Sequence, residues 1–293
     1  ASRSALEDDS ARARPSERND DSADNRDTGA SDGESDAPGD TPHAGAAAGR
    51  LAGMQAAHMT PFAAYTQLEY ETARDALAPL ARRFRVRVAR RLRRGNRGRI
   101  DFRGTIRASM QRGGAMFDLR WRMRRPAYVD LLLLADVSGS VRYASELMLE
   151  IAAGARASFR SVRSFVFVDR IAEVEFEDGR VVTATPLDLY ARSDFARVFA
   201  EVRERRIELL GSATLVIVMG DGRNNRRPAR ADHLREIARA SRAVVWLNPE
   251  PRERWGSGDS AIFQYEKEVT AVLECTNLTE LRLALDRSVA VAL

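Results

Sequence analysis

The 293-residue sequence predicts an α/β fold, a doubly wound and mainly parallel sheet flanked by helices, behind a disordered N-terminal tail. Three observations carry this expectation. The run Leu131-Leu-Leu-Leu-Ala-Asp136 has no polar alternation, so both faces of its strand must be covered, as at the centre of a parallel sheet with helices on either side. A second apolar run, Thr214–Met219, also stops on a carboxylate, in Gly220-Asp221-Gly222. Around these runs, strand-like and helix-like stretches alternate in the order that builds parallel sheets.

Taken from the start, residues 1–58 form the tail. Its first fifty residues hold 12 Asp and Glu against 6 Arg, with many Ser, Gly and Ala. Such a stretch buries too little apolar surface to offset its ordering entropy. Residues 59–125 read as a helical, Arg-rich extension. Thr60-Pro61 suits a helix start, with Thr as N-cap and Pro at the first helical position, and Pro79 suits its end or a kink. From Arg82 to Arg125, 17 Arg face only Asp101 and Asp118. Nucleic-acid binding through residues 82–125 is therefore the alternative function. Against it, Lys267 is the only lysine, so Arg is this protein's general cation, and the segment has no recognition motif and few aromatics for stacking. A solvated basic arm, or a dock for an acidic partner, fits better. Phe117, Leu119, Trp121 and Met123 alternate with charged residues, the period of a strand with one wet face.

Residues 126–293 carry the sheet domain. After Pro126 and the central strand, Leu147, Ile151, Ala155 and Phe159 recur every four residues on a helix expected over 143–160. Strands follow over 164–168 and 171–176 around Asp169-Arg170, and Asp178-Gly179 makes a further turn. A loop from Thr183 leads into a helix over 195–206. Beyond the second apolar run come a helix near 230–240, a strand over 243–247, a loop over 248–260, a strand near 269–273 and a last helix from Asn277.

Asp136, Ser138 and Ser140 stand two residues apart at the carboxyl end of the central strand, where open α/β sheets bind ligands, and Asp221 arrives at the same edge. Their oxygens suit a hard cation such as Mg²⁺. Ser140 alone would equally serve as N-cap of the following helix. A single cysteine, Cys275, excludes an intrachain disulfide and reads as core; with only His43, His58 and His233 beside it, a zinc site lacks ligands. No G-x-x-x-x-G-K-[ST] is present, and Ser138 lacks the G-x-S-x-G setting of a nucleophile, so no enzyme activity is expected. The chain shows no signal-peptide pattern and no apolar run of about 20 residues, which points to the cytoplasm.

Asp136, Ser138, Ser140, a hydroxyl before a helix, and Asp221 together resemble the metal-ion-dependent adhesion site (MIDAS) of von Willebrand factor type A domains, a Rossmann-like fold. The resemblance implies Mg²⁺, with Mn²⁺ or Ca²⁺ as substitutes, held by serine and threonine hydroxyls and by aspartates directly or through water. It also implies an open position for a partner's carboxylate. Where that family has Thr-Asp, this chain has Ser193-Asp194, so Ser193 is taken as the third hydroxyl, Thr185 of the same loop is the runner-up, and Thr214 is a weaker choice. Arg99-Ile-Asp-Phe-Arg-Gly-Thr-Ile-Arg-Ala-Ser, Asp136-Val-Ser-Gly-Ser, Gly220-Asp-Gly-Arg-Asn-Asn, and Trp246-Leu-Asn-Pro-Glu with Trp255-Gly-Ser-Gly-Asp259 are similar to the CoxE group of these proteins, from about Arg90 onward. That group implies a noncatalytic adaptor between a MoxR-type AAA+ ATPase and a client metalloenzyme. Its N-terminal helical region is represented only from Thr60. Residues 246–259 also read as a plain surface loop with a buried Trp anchor, and the whole as a scaffold with a vestigial metal site.

Overall fold

A computed structural model describes residues 55–95, 99–111, 121–122, 129–177, 180–183 and 185–293. Helices α1 (Gln67–Asp75) and α2 (Leu77–Gly95) precede strand β1 (Arg99–Ile100), helix α3 (Phe102–Met110) and strand β2 (Trp121–Arg122), which pairs antiparallel with β1. The sheet domain then runs β3 (Asp130–Asp136), α4 (Arg142–Gly154), β4 (Ser161–Phe167), β5 (Ile171–Glu177), β6 (Arg180–Thr183), α5 (Phe195–Glu204), α6 (Arg206–Leu209) and β7 (Thr214–Met219). It finishes with α7 (Ala231–Ala240), β8 (Ala243–Asn248), α8 (Ile262–Glu266), β9 (Ala271–Glu274) and α9 (Leu278–Ala292).

The main sheet has seven strands in the order β6-β5-β4-β3-β7-β8-β9. From β4 to β9 all neighbours are parallel, while β5 and β6 fold back antiparallel at one edge. Strand order reverses at β3, whose neighbours are β4 on one side and β7 on the other, so its carboxyl end is the switch-point crevice of a doubly wound sheet. Leu131 and Leu133 pack into the layer containing α2, α4 and α9; Leu132 and Leu134 pack into the opposite layer with Phe195, Phe199, Trp246 and Tyr265. All four leucines are buried. Each contributes about 2 kcal/mol by leaving water.

Several boundaries differ from the sequence reading. Thr60 does not cap a long helix: its hydroxyl donates to the Ala56 carbonyl, and only a short 3-10 turn, Phe62–Ala64, follows. The helix starts instead at Thr66, whose hydroxyl accepts from the Glu69 N–H while the Glu69 carboxylate accepts from the Thr66 N–H. That reciprocal box satisfies two otherwise orphaned donors. Pro79 opens a helix rather than ending one, because it lies in the first turn of α2, where its missing N–H would have had no helical partner. Much of the expected basic arm is this helix. Leu80, Ala81, Phe84 and Val88 form its buried side, and Arg83 and Arg87 on the outside bind Asp286 of α9.

The helix expected over 143–160 ends at Gly154, and a 3-10 turn, Arg156–Ser158, carries the chain to Phe159. Likewise the helix expected over 195–206 ends at Glu204 and restarts as α6. Of the expected tail, residues 1–54 lie outside the described residues; 55–59 are helical, with Ala57 buried. The alternating stretch 117–123 is described only at Trp121 and Arg122, and the Asp178-Gly179 turn not at all. Among the described residues, no helix is long and apolar enough to cross a membrane.

Candidate metal centre

β3 ends on Asp136, which is fully buried. Its Oδ1 accepts from the Ser138 N–H at 2.8 Å, an Asx-type turn that bends the chain out of the strand. From α4, Ser145 Oγ donates to the Asp136 carbonyl at 2.5 Å. The second carboxylate oxygen, Oδ2, is buried without a hydrogen-bond partner. Next to it β7 delivers Asp221 through Gly220, where a Cβ would stand 3.1 Å from Asp136 Cβ and 3.0 Å from Phe195 Cζ. A side chain there would have to push one of these neighbours back by a few tenths of an ångström.

Asp221 Oδ1 accepts from the Arg223 N–H at 3.0 Å, and Oδ2 accepts from Ser140 Oγ at 2.9 Å. Ser140 is thus no helix cap. The residue before α4 is Val141, with no side-chain cap bond, and the Ser140 hydroxyl reaches across to the second aspartate. Burial, and then the charge of Asp221, push the Asp136 carboxyl up to about 8. Burial also raises Asp221, against the Arg223 amide and the Ser140 hydroxyl. Two buried carboxylates this close resist joint ionisation unless positive charge joins them.

A hard divalent cation fits that need. It would give Asp136 Oδ2 the partner it lacks, and it prefers oxygen donors. Among the described residues, no three His, Cys, Asp or Glu side chains converge as a metal site, so the donors here are two carboxylates supplemented by hydroxyls. Ser138 stands two residues after Asp136 in the turn. Ser193 is buried in the loop before α5, and its carbonyl accepts from Asn225 Nδ2 at 2.9 Å, which fastens it to the loop after Asp221. The adjoining Asp194 N–H donates to the Val168 carbonyl, and the Asp194 side chain caps α5. Thr185 is exposed, and Thr214 opens β7 opposite Asp130, at the far edge of the sheet from Asp136.

Four supporting residues escaped the sequence reading. Asn224, 1% exposed, accepts from the Phe195 N–H and donates to the Arg227 and Pro228 carbonyls, so it locks the start of α5 to the Asp221 loop. Asn225 and Arg226 hold φ of 52° and 61°, in the left-handed region. Arg223 binds Glu250 at 2.5 Å and Asp259 at 2.9 Å, pinning the loop expected over 248–260. In that loop Trp255 is buried and donates to the Glu250 carbonyl, as the anchor reading expects. The run Gly220-Asp-Gly-Arg-Asn-Asn was the available signal, but its second half carries no metal-ligand pattern. Asn224→Ala orphans one amide and two carbonyls, so it is expected to cost about 2 kcal/mol or more and to weaken any divalent-cation binding at the two aspartates. Thermal unfolding and calorimetry against Asn225→Ala, expected to lose less stability, check this.

No curated protein sequence matches the chain. Among solved structures it is similar to a von Willebrand factor type A protein from Catenulispora acidiphila, 12% identical over 59% of this chain and 43% of that one, with a TM-score of 0.39. It is also similar to the ArnB paralog VWA2 from Sulfolobus acidocaldarius, 12% identical over 54% and 44%, with a TM-score of 0.35. A third is proximal thread matrix protein 1 from the mussel byssus, with a zinc occupied MIDAS motif, 19% identical over 56% and 48%, with a TM-score of 0.37. The chain spans less than half the length of each of these three. The family described as "VWA domain containing CoxE-like protein" matches residues 73–283, a span that includes β3, Asp136 and Asp221, and the chain belongs to that family.

Proposed function

We propose that this protein is a noncatalytic interaction module that binds its partner through a divalent cation held by Asp136, Ser138, Ser140, Ser193 and Asp221. The observation that carries the reading is the buried, unpartnered Oδ2 of Asp136 beside a second buried carboxylate. A cation bound there would neutralise the pair and offer an open coordination position to an Asp or Glu of the partner. The chain's own part is to hold the oxygens in place: the Asx turn aims Asp136, Arg223 and Ser140 fix Asp221, and Asn225 tethers Ser193. Among the described residues, His233 bonds the Ala196 carbonyl rather than the Ser138 or Ser140 hydroxyl.

Membership of the CoxE-like family supports a finer reading, an adaptor that brings a MoxR-type AAA+ ATPase to a client metalloenzyme in the cytoplasm. The ATP chemistry then belongs to the partner, because the sole lysine, Lys267, sits in no phosphate-binding loop. Mg²⁺ is the expected ion. The test is calorimetry of Mg²⁺, Mn²⁺ and Ca²⁺ binding to wild type and Ser193→Ala, then of a purified MoxR-type ATPase with Mg²⁺ and with chelator. Wild type is expected to bind the ATPase only with the cation, and Ser193→Ala to weaken cation binding about tenfold, one lost oxygen ligand being worth roughly 1.4 kcal/mol. Equal ATPase binding with chelator would overturn the reading.

A further inference from the structure

A surface groove far from the metal centre in sequence has no place in the function proposed above. It has a volume of about 960 Å³ and lies between α2 and α9. Arg82, Arg83, Arg87, Arg90 and Arg91 all line it, against the single acid Asp286. Arg83 and Arg87 share that acid, and Arg91 reaches the Ala290 carbonyl, so these three are committed to holding α2 on α9. Arg82 and Arg90 are exposed and make no ion pair among the described residues. They stand eight residues apart, about 12 Å along the helix and about 80° apart around it. Between them lies Val86, 43% exposed, and Ala78 and Ala290 extend the apolar floor.

We infer that this groove binds an acidic amphipathic helix of a partner protein. α2 lines it from Ala78 to Arg91, about 20 Å, the length of a helix of roughly 13 residues, and α9 closes one side at Asp286, Val289 and Ala290. A third helix laid there can set its side chains into the groove, covering Val86 with its apolar face. Carboxylates on either side of that face then meet Arg82 and Arg90. A nucleic-acid strand would answer the charge but leave the apolar floor uncovered, and among the described residues no aromatic side chain lines the groove to stack a base. Charge complementarity and the exposed valine together select the helix.

The experiment uses the full chain and a fluorescein-labelled 14-residue peptide of Leu and Glu, with Leu confined to one helical face. Polyglutamate of the same length and a single-stranded 14-mer DNA are the comparison probes, read by anisotropy with chelator present throughout. The Leu/Glu peptide is expected to bind at least tenfold tighter than either comparison probe. The double variant Arg82→Glu/Arg90→Glu and, separately, Val86→Asp are each expected to weaken it at least tenfold. Circular dichroism should be unchanged, because neither arginine makes an ion pair among the described residues; if the reversal disturbs folding, Arg82→Gln/Arg90→Gln replaces it with the same expectation. Peptide binding that survives these changes overturns the proposal. So does polyglutamate binding as tightly as the peptide, which would mean a general anion surface, or DNA binding tighter and falling with the same variants.

Discussion

Asp136→Asn is expected to abolish cation binding and yet, with the cation removed, to give a protein more stable than wild type at pH 8.5. Asparagine keeps the acceptor for the Ser138 N–H and removes the buried charge. The sign follows from proton counting. The Asp136 carboxyl is held at about 8 in the fold against 3.8 in the free side chain, so between those values the folded state retains a proton that the unfolded chain has released. The Asp136 contribution to the stability of metal-free wild type is therefore fully present below the ordinary carboxylate range and is lost as pH rises through that window. A four-unit shift corresponds to on the order of 5 kcal/mol across it. The variant lacks that slope. Denaturant unfolding with chelator at pH 5 and pH 8.5 should show the curves cross, and excess Mg²⁺ should rescue only wild type at the higher pH. Cation affinity of wild type should rise about tenfold per pH unit up to about 8. A variant less stable than metal-free wild type at pH 8.5 would disprove this account.

Trp246→Ala should have the largest effect on folding. The ring is fully buried, stacks on Phe195 at 5.4 Å and Tyr265 at 5.1 Å, and its Nε1 donates to the Gly220 carbonyl at 2.8 Å. Truncation opens a cavity costing about 3–5 kcal/mol and leaves that carbonyl unpaired next to Asp221. Trp246→Phe keeps much of the volume and removes only the donor. Its expected loss is about 1–2 kcal/mol, with a larger share of the damage falling on Mg²⁺ affinity, since Gly220 positions Asp221. Calorimetry and thermal unfolding of both variants separate packing from loop positioning. Equal losses in both variants would mean that the indole hydrogen bond, not the volume, holds this region.

The sheet was legible because unbroken apolarity in Leu131–Leu134 and in β7 has one common explanation, burial on both faces. The grouping of Asp136, Ser138, Ser140 and Asp221 was legible for a related reason: side chains that end adjacent strands of a parallel sheet arrive at one edge. Less visible were contacts made to backbone. Nothing in Asn224 itself announces that it accepts from Phe195 and donates to two carbonyls, because the partners are peptide groups present at every position. Ser140 could be read two ways, and its direction depended on Asp221 81 residues away. The helical period of Leu80, Phe84 and Val88 was in plain view, but 17 arginines around and beyond it drew attention to charge. Helix ends were missed by several residues where a 3-10 turn continued the apolar pattern past the last α-helical bond, as at Phe159.

The pairing of α2 with α9 also sets a schedule for synthesis. Arg83 and Asp286 are separated by 203 residues. At translation rates of about 5–20 residues per second, α2 leaves the ribosome roughly 10–40 seconds before the helix that carries its counter-charge. α4 and Phe159 emerge earlier and can shelter Phe84, whose ring lies 6.0 Å from that of Phe159. Arg83, Arg87 and the adjoining surface must wait for the last turns of the chain. The nascent protein therefore displays a cationic helix whose apolar side lacks its α9 cover, and chaperone capture should be strongest in that interval.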